Sequence, residues 1–216
     1  MLAHLVGEDQ RVPRSDVLDV CTGSGVIAIS AARAGARSVH AVDLSRRAAL
    51  AARLNARLNR VQIQAVRGSL FDAVPGRTFD VIASNPPYLP AETDELPGRG
   101  ARRAWEAGRN GRVLLDQIIA RAPRHLSPGG VLWLVHSSVC GVDETLAGLE
   151  AAGLDPVIAQ SRRGPLGPLL AGRADELEAR RVLARGQREE DVVAIRATLP
   201  TVAGAPTPAP ARRAPG

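Results

Sequence analysis

Val17-Leu18-Asp19-Val20-Cys21-Thr22-Gly23-Ser24-Gly25 is a short apolar run that ends in a tight, glycine-punctuated loop. The run suits a buried strand, and the glycines free the backbone to turn sharply out of it. Residues 26–34 follow with a helical pattern that is apolar on nearly all sides in its early turns, as expected of a helix lying on a sheet, and Gly35 stops it. A strand, a glycine turn and a helix in that order bring backbone N–H groups and a helix N-terminus to face a polar or anionic ligand.

The alternation continues outward from that stretch. A second strand at 38–42 ends at Asp43, and Ser45 is placed to cap the next helix. Leu50, Leu54 and Leu58 stand at i, i+4 and i+8 in that helix, which predicts a buried leucine stripe. Further strands are expected at 61–66, 79–84, 130–135, 157–160 and 191–197, with helices at 113–125 and 144–152. Strands alternating with helices predict an α/β fold with a mostly parallel sheet flanked by helices. The chain divides into a short N-terminal segment at 1–15, the α/β domain at 16–199 and a Pro/Ala-rich tail at 200–216 without apolar periodicity, which is expected to be disordered. Within the domain, the Arg/Glu-rich stretch 164–190 reads as a surface excursion with a short helical pattern at 175–184.

Bulk properties narrow the class. With 216 residues, 45% hydrophobic and 23% charged, the chain fits one globular domain with an ordinary core. No apolar run approaches the roughly 20 residues that span a bilayer, and the first residues lack a basic-then-apolar leader, so no membrane partner and a cytoplasmic location are expected. Two cysteines, Cys21 and Cys140, make no disulfide framework, and four scattered histidines make no metal cluster. The net charge of +6 invites a polyanion reading, yet no lysine occurs and all 28 basic residues are arginine, a bias that fits a GC-rich coding sequence as well as phosphate binding.

Gly23-x-Gly25-x-x-Ala28, with Asp43 at a suitable distance downstream for a ribose hydroxyl, is a general nucleotide-loop pattern and is weak when taken alone. Three further features choose among ligands. Asp19 lies inside the first strand, where a carboxylate suits an ammonium and repels a pyrophosphate. Ser69 and Leu70 follow the third strand as a polar contact and an apolar wall for a base. Behind the fourth strand comes Asn85-Pro86-Pro87-Tyr88, which carries the only tyrosine in the chain. Two prolines lack N–H groups and fix φ, so the strand must stop there in a rigid turn. That turn offers an amide oxygen, proline carbonyls and one aromatic face, an inventory suited to a planar –NH2 group.

Together, Asp19-x-Cys21-Thr22-Gly23-Ser24-Gly25, Asp43 and Ser84-Asn85-Pro86-Pro87-Tyr88 resemble a class I S-adenosylmethionine-dependent methyltransferase acting on an amino group, and more closely the HemK/PrmC-type release-factor glutamine methyltransferases. Ala104-Trp105-Glu106-Ala107-Gly108-Arg109-Asn110-Gly111-Arg112 is similar to the loop that follows this motif in short members of that family. The resemblance covers residues 16–160 and the last strand. It implies a Rossmann-like, seven-stranded sheet with the final strand antiparallel. It implies S-adenosyl-L-methionine held by Asp19, Cys21, Thr22, Gly23, Ser24, Gly25, Asp43, Leu44, Ser69, Leu70 and Asn85. Asn85, Pro86, Pro87 and Tyr88 are the implied catalytic turn, a release-factor-like protein is the implied substrate, and a small activating subunit is a candidate partner. The chain departs from the pattern in three places. No proline- and acid-bearing segment precedes the first strand, Ser69 and Leu70 replace commoner acidic and aromatic residues, and 164–190 is long. The turn alone equally fits an exocyclic amino group of adenine or cytosine in RNA or DNA, and the fold alone fits a noncatalytic binding module. A nicotinamide oxidoreductase has no use for the Asn-Pro-Pro-Tyr turn.

Overall fold

The structure is a computed structural model and describes residues 1–98 and 100–201. The expectation of a disordered tail therefore falls almost entirely outside the described residues. Along the chain run α1 (Leu2–Glu8), β1 (Asp16–Val20), α2 (Val26–Arg33), β2 (Ser38–Asp43), α3 (Arg46–Leu58), β3 (Gln64–Arg67) and β4 (Phe79–Ser84). Then come α4 (Val113–Arg121), β5 (Leu126–Ser137), α5 (Val142–Ala151), β6 (Asp155–Pro165), α6 (Pro168–Ala171), α7 (Ala174–Ala179) and β7 (Glu189–Thr198). The strands form one seven-stranded sheet in the order β3-β2-β1-β4-β5-β7-β6. β1 to β5 pair in parallel, and β7 runs antiparallel between β5 and β6. The sheet is thus the mostly parallel one expected, with its last strand reversed.

Alternation along each strand gives the sheet two buried faces. Leu18, Val20, Ile82, Leu132 and Leu134 point to one side, where Ile118 and Ile119 of α4 and Leu149 of α5 join them. Val17, Val81, Trp133 and Val135 point to the other, against Leu2 and Val6 of α1 and Ile27, Ala28 and Ala31 of α2. Chain order reverses between β1 and β4, which is the switch point where ligands collect in open α/β sheets. The register there pairs Val20 with Ser84. The glycine loop and the Asn-Pro-Pro-Tyr turn therefore leave the same sheet edge side by side.

Two sequence expectations need correction. The leucine stripe on α3 is not buried: Leu50, Leu54 and Leu58 are 65%, 55% and 72% exposed, and the buried face carries Ala49, Ala52 and Ala56. The cause is proximity. A Cβ added to Gly25 would lie 3.0 Å from Cβ of Ala52, so nothing larger than alanine fits where α3 crosses the glycine loop. Ser45 does cap that helix, its hydroxyl accepting from the Ala48 N–H at 3.3 Å. β6 is eleven residues long, not four, and is exposed along nearly its whole length as the edge strand; its paired arginines hid it from a reading based on apolar runs. The N-terminal segment, for which the sequence suggested no element, contains α1, which seals one face of the sheet. Asp9, at its C-terminal end, accepts from Trp133 Nε1 at 2.8 Å and Arg196 Nε at 3.0 Å. Among the described residues no helix is long and apolar enough to cross a membrane.

Candidate active site

A cavity of about 1010 Å³ opens at the switch point, bordered by the glycine loop, the end of β2, the turn after β3 and Asn85. Its volume suits a ligand the size of a nucleoside joined to an amino acid. Of the five non-glycine residues with positive φ among the described residues, two face it, Cys21 at φ 59° and Leu70 at φ 43°. Such conformations cost energy and persist where the surroundings impose them, commonly at ligand sites. Asp43 is held by backbone on both oxygens, accepting from the Gly23 N–H at 2.9 Å and the Ser45 N–H at 2.8 Å. One carboxylate thus ties the glycine loop to β2, and its remaining lone pairs stay available to a diol.

Of the eleven expected cofactor contacts, Cys21, Thr22, Gly23, Ser24, Asp43, Leu44, Ser69, Leu70 and Asn85 border this cavity. Asp19 and Gly25 do not. Asp19 lies fully buried beneath the loop, where its Oδ2 accepts from Thr22 Oγ1 at 2.6 Å and from the Ala28 N–H at 3.1 Å. It shapes the loop and the start of α2, while its Oδ1 has no partner among the described residues. Burial pushes its pKa up to about 7, against the hydrogen bonds from Thr22 and Ala28. Gly25 has φ 86° and sits against α3, so its glycine identity is required by packing. Burial, followed by the carboxylates of Asp43 and Asp19, pushes the Cys21 thiol up to about 12, which leaves it an inert wall.

Asn85 is exposed at the end of β4, and Pro86 is buried behind it. Ser84 anchors the turn by donating to the Val20 carbonyl at 2.7 Å. Among the described residues neither the Asn85 carboxamide nor the Pro86 carbonyl has a hydrogen-bond partner. The Tyr88 carbonyl, by contrast, accepts from Cys140 Sγ at 2.8 Å. Arg112 locks the ground beneath it by donating to the carbonyls of Cys140 at 2.6 Å and Gly141 at 2.9 Å and to Thr145 Oγ1 at 2.9 Å. Gly111 passes so close that a Cβ there would fall 2.2 Å from the Tyr88 oxygen, so a glycine with φ 74° is the only residue that fits. The Trp105-to-Arg112 stretch is thus the clamp on the turn: Leu89 and Ala107 exchange backbone bonds with Trp105 and Leu89 at 2.6 and 3.0 Å.

A second cavity, of about 280 Å³, lies on the other side of the turn. Asn85, Pro87 and Ala104 border both cavities, whereas Pro86, Tyr88 and Trp105 border only the smaller one. The turn therefore separates two compartments and touches each. Burial raises the Tyr88 pKa, and the nearby Glu190 carboxylate adds to the effect, so the phenol keeps its proton. His136 does not reach this site; it is fully buried on β5, its Nδ1 2.8 Å from the Ser137 carbonyl.

Sequence reasoning missed several wall residues of the large cavity. Leu114 and Gln117 reach it from α4, and Arg46 and Arg47 from the start of α3. The long segment 89–110 between the turn and α4 contributes Leu96, Pro97, Arg103 and Glu106. No local pattern marks such residues, because they meet the cleft only through the packing of distant elements.

Comparison with known proteins agrees with this geometry. The methyltransferase small domain family matches residues 1–96. A Methanocaldococcus jannaschii protein named as a putative protein N5-glutamine methyltransferase is 37% identical over 74% of this chain and 80% of its own length. The chain belongs to that HemK-type family of S-adenosyl-L-methionine-dependent methyltransferases. Another relative in the family, the release factor glutamine methyltransferase of Gloeobacter violaceus, is 41% identical over 55% of this chain but only 44% of its own length. Among solved structures, the ribosomal protein L11 methylase of Lactobacillus delbrueckii subsp. bulgaricus superimposes with a TM-score of 0.58 at 25% identity, covering 90% of this chain and 76% of that one. The residues present fit the family's cofactor: a strained, glycine-freed loop, an oriented Asp43 and the Ser69-Leu70 turn surround a cavity of suitable size.

Proposed function

We propose that this protein methylates the side-chain nitrogen of a glutamine in a protein of the translation apparatus, a peptide release factor foremost. The observation that carries the reading is the unpaired Asn85 carboxamide and Pro86 carbonyl, on a rigid turn that borders a cofactor-sized cavity on one side and a smaller cavity on the other. The names of its relatives support glutamine as the acceptor.

S-Adenosyl-L-methionine, held by the glycine loop, Asp43, Leu44, Ser69 and Leu70, supplies an electrophilic methyl group. An amide nitrogen is a poor nucleophile because its lone pair is delocalised into the carbonyl. Asn85 Oδ1 and the Pro86 carbonyl accept its two N–H bonds, which draws the nitrogen toward tetrahedral geometry and raises its electron density. Acceptors fixed in advance favour the charge that develops on that nitrogen, at no reorganisation cost. Pro87 and Tyr88 hold the amide plane, so much of the acceleration comes from placement. The turn carries no strong base: Tyr88 stays protonated, and burial pushes the Cys140 thiol up to about 12. None is needed, since a nitrogen that has become cationic loses its proton readily. A translation-protein substrate implies a cytoplasmic reaction. Incubation with labelled cofactor and a purified release factor, followed by peptide mass mapping, should place one methyl on a glutamine. Label that nuclease removes and protease spares would contradict the reading.

A further inference from the structure

The segment between β6 and β7 does not behave as a surface excursion. Leu166, Leu170, Ala174, Leu177 and Leu183 form a small core of their own, packed against Leu89 just past the catalytic turn. Two arginines fasten it there. Arg173 donates to the Pro90 carbonyl at 2.8 Å, and Arg180 donates to the carbonyls of Ala91 at 2.6 Å and Arg109 at 2.9 Å. Both also pair with Glu176, at 2.9 Å each, so one carboxylate holds the two clamps in register. Held this way, α6 becomes the far wall of the smaller cavity, with Pro168, Leu169 and Leu170 facing Trp105 and Tyr88.

At the same cavity lies Glu190, the second residue of β7. It is only 9% exposed. Its Oε1 accepts from the Gly167 N–H at 2.7 Å, and no other hydrogen bond or ion pair reaches the carboxylate among the described residues. In a chain with 28 arginines, a nearly buried carboxylate without a cation is conspicuous. Buried charges are ordinarily paired. An apolar slot with a free carboxylate matches one kind of occupant, a side chain with a hydrocarbon stem and a cationic head.

We propose that this segment selects the substrate: the cavity between α6 and Trp105 seats an arginine or lysine next to the methylated glutamine, with its charge on Glu190. The proposal rests on the glutamine reading for which nitrogen is methylated, but not for what the cavity binds. An acidic residue at the same place would meet Glu190 at short range and be rejected, which is specificity by repulsion. A nucleic-acid strand would bring phosphates to the same carboxylate and be disfavoured likewise.

The test uses glutamine-centred peptides whose neighbouring residue is arginine, norleucine or glutamate, with the full protein and S-adenosyl-L-methionine. Binding is read from Trp105 fluorescence, Trp133 being sealed in the core, and methyl transfer from label. The arginine peptide should bind about tenfold more tightly than the norleucine peptide, and the glutamate peptide more weakly still. In Glu190→Gln, which keeps an acceptor for the Gly167 N–H, that preference should fall below about twofold while cofactor affinity by calorimetry is retained. Leu169→Ala, a change to an exposed side chain, should weaken all three peptides together. Binding with this preference but without methyl transfer would refute the glutamine reading and leave the seat standing. Transfer with no preference, or a preference that survives Glu190→Gln, would overturn the seat and leave the glutamine reading standing. Neither binding nor transfer would refute both.

Discussion

Asn85 is exposed, unpaired and carried on a turn that two prolines stiffen, so its loss changes chemistry without disturbing the core. Asn85→Ala should lower kcat by about 10²-fold or more, and stability should stay within about 0.5 kcal/mol of the parent. Single-turnover rates and thermal melts check both, and a variant with near-normal turnover would remove Asn85 from the mechanism. Asp19 calls for a different test, because its role is structural and titratable. Its folded pKa, about 7, lies above its unfolded value, so the folded protein holds a proton that the unfolded chain has released. Stability therefore falls as pH rises from about 4 to about 7, by on the order of a few kcal/mol at most. Asp19→Asn cannot titrate and retains an acceptor for Thr22, so melts at pH 5 and pH 8 should differ less than in the parent. An unchanged pH dependence would show that Asp19 ionises freely. Both residues were legible in the sequence, but in different ways. The Asn-Pro-Pro-Tyr run states its chemistry outright. Asp19 announced a carboxylate near the loop, and only the packing of α2 over β1 shows that the carboxylate is spent inward.

At the scale of elements, period and punctuation located most strands and helices, because each apolar run of the parallel sheet is buried on both faces. The face of α3 was misread for a physical reason. Leucines at i, i+4 and i+8 signal burial only where the neighbouring backbone leaves room, and Gly25 leaves room for alanine alone. The two faces of α3 should therefore respond oppositely. Leu54→Gln should change stability by less than about 0.5 kcal/mol, as an exposed substitution does. Ala52→Leu should cost about 1–3 kcal/mol by overpacking, and it should also weaken cofactor binding, because the strain falls on the glycine loop. Denaturant midpoints and cofactor titrations measure the pair; equal effects at the two positions would refute the assignment of faces. A helical pattern at 175–184 marked part of the α6–α7 segment, but its packing was illegible for a related reason. Its short apolar runs pack on one another and on Leu89, a partner 77 residues earlier than Leu166, which no local pattern reveals.

At the scale of the whole molecule, distant parts of the chain meet on one carboxylate. Asp9 closes α1 and accepts bonds from Trp133 on β5 and Arg196 on β7, so the N-terminal helix is fastened to the strands that complete the sheet. Burial alone would push its carboxyl up, but the hydrogen bonds from the Arg11 N–H, Arg196 and Trp133 outweigh it and hold the pKa below the ordinary carboxylate value. A folded pKa lowered in this way contributes stability above the unfolded value, and that contribution is lost as pH falls through the folded one. Asp9→Asn removes the charge while keeping an oxygen for Trp133. It should cost about 2 kcal/mol at pH 7, the usual scale for hydrogen bonds to a charged group. The gap between parent and variant should begin to narrow as pH drops below about 4, where the unfolded chain takes up the proton, and should close further as the folded carboxylate follows at lower pH. Methyl transfer at saturating cofactor should persist in the folded variant, since α1 borders neither cavity at the turn. Melts from pH 7 to pH 3.5 decide the point. A gap that stays constant across that range would mean that Asp9 holds α1 by shape alone, and that its charge contributes nothing to closing the sheet.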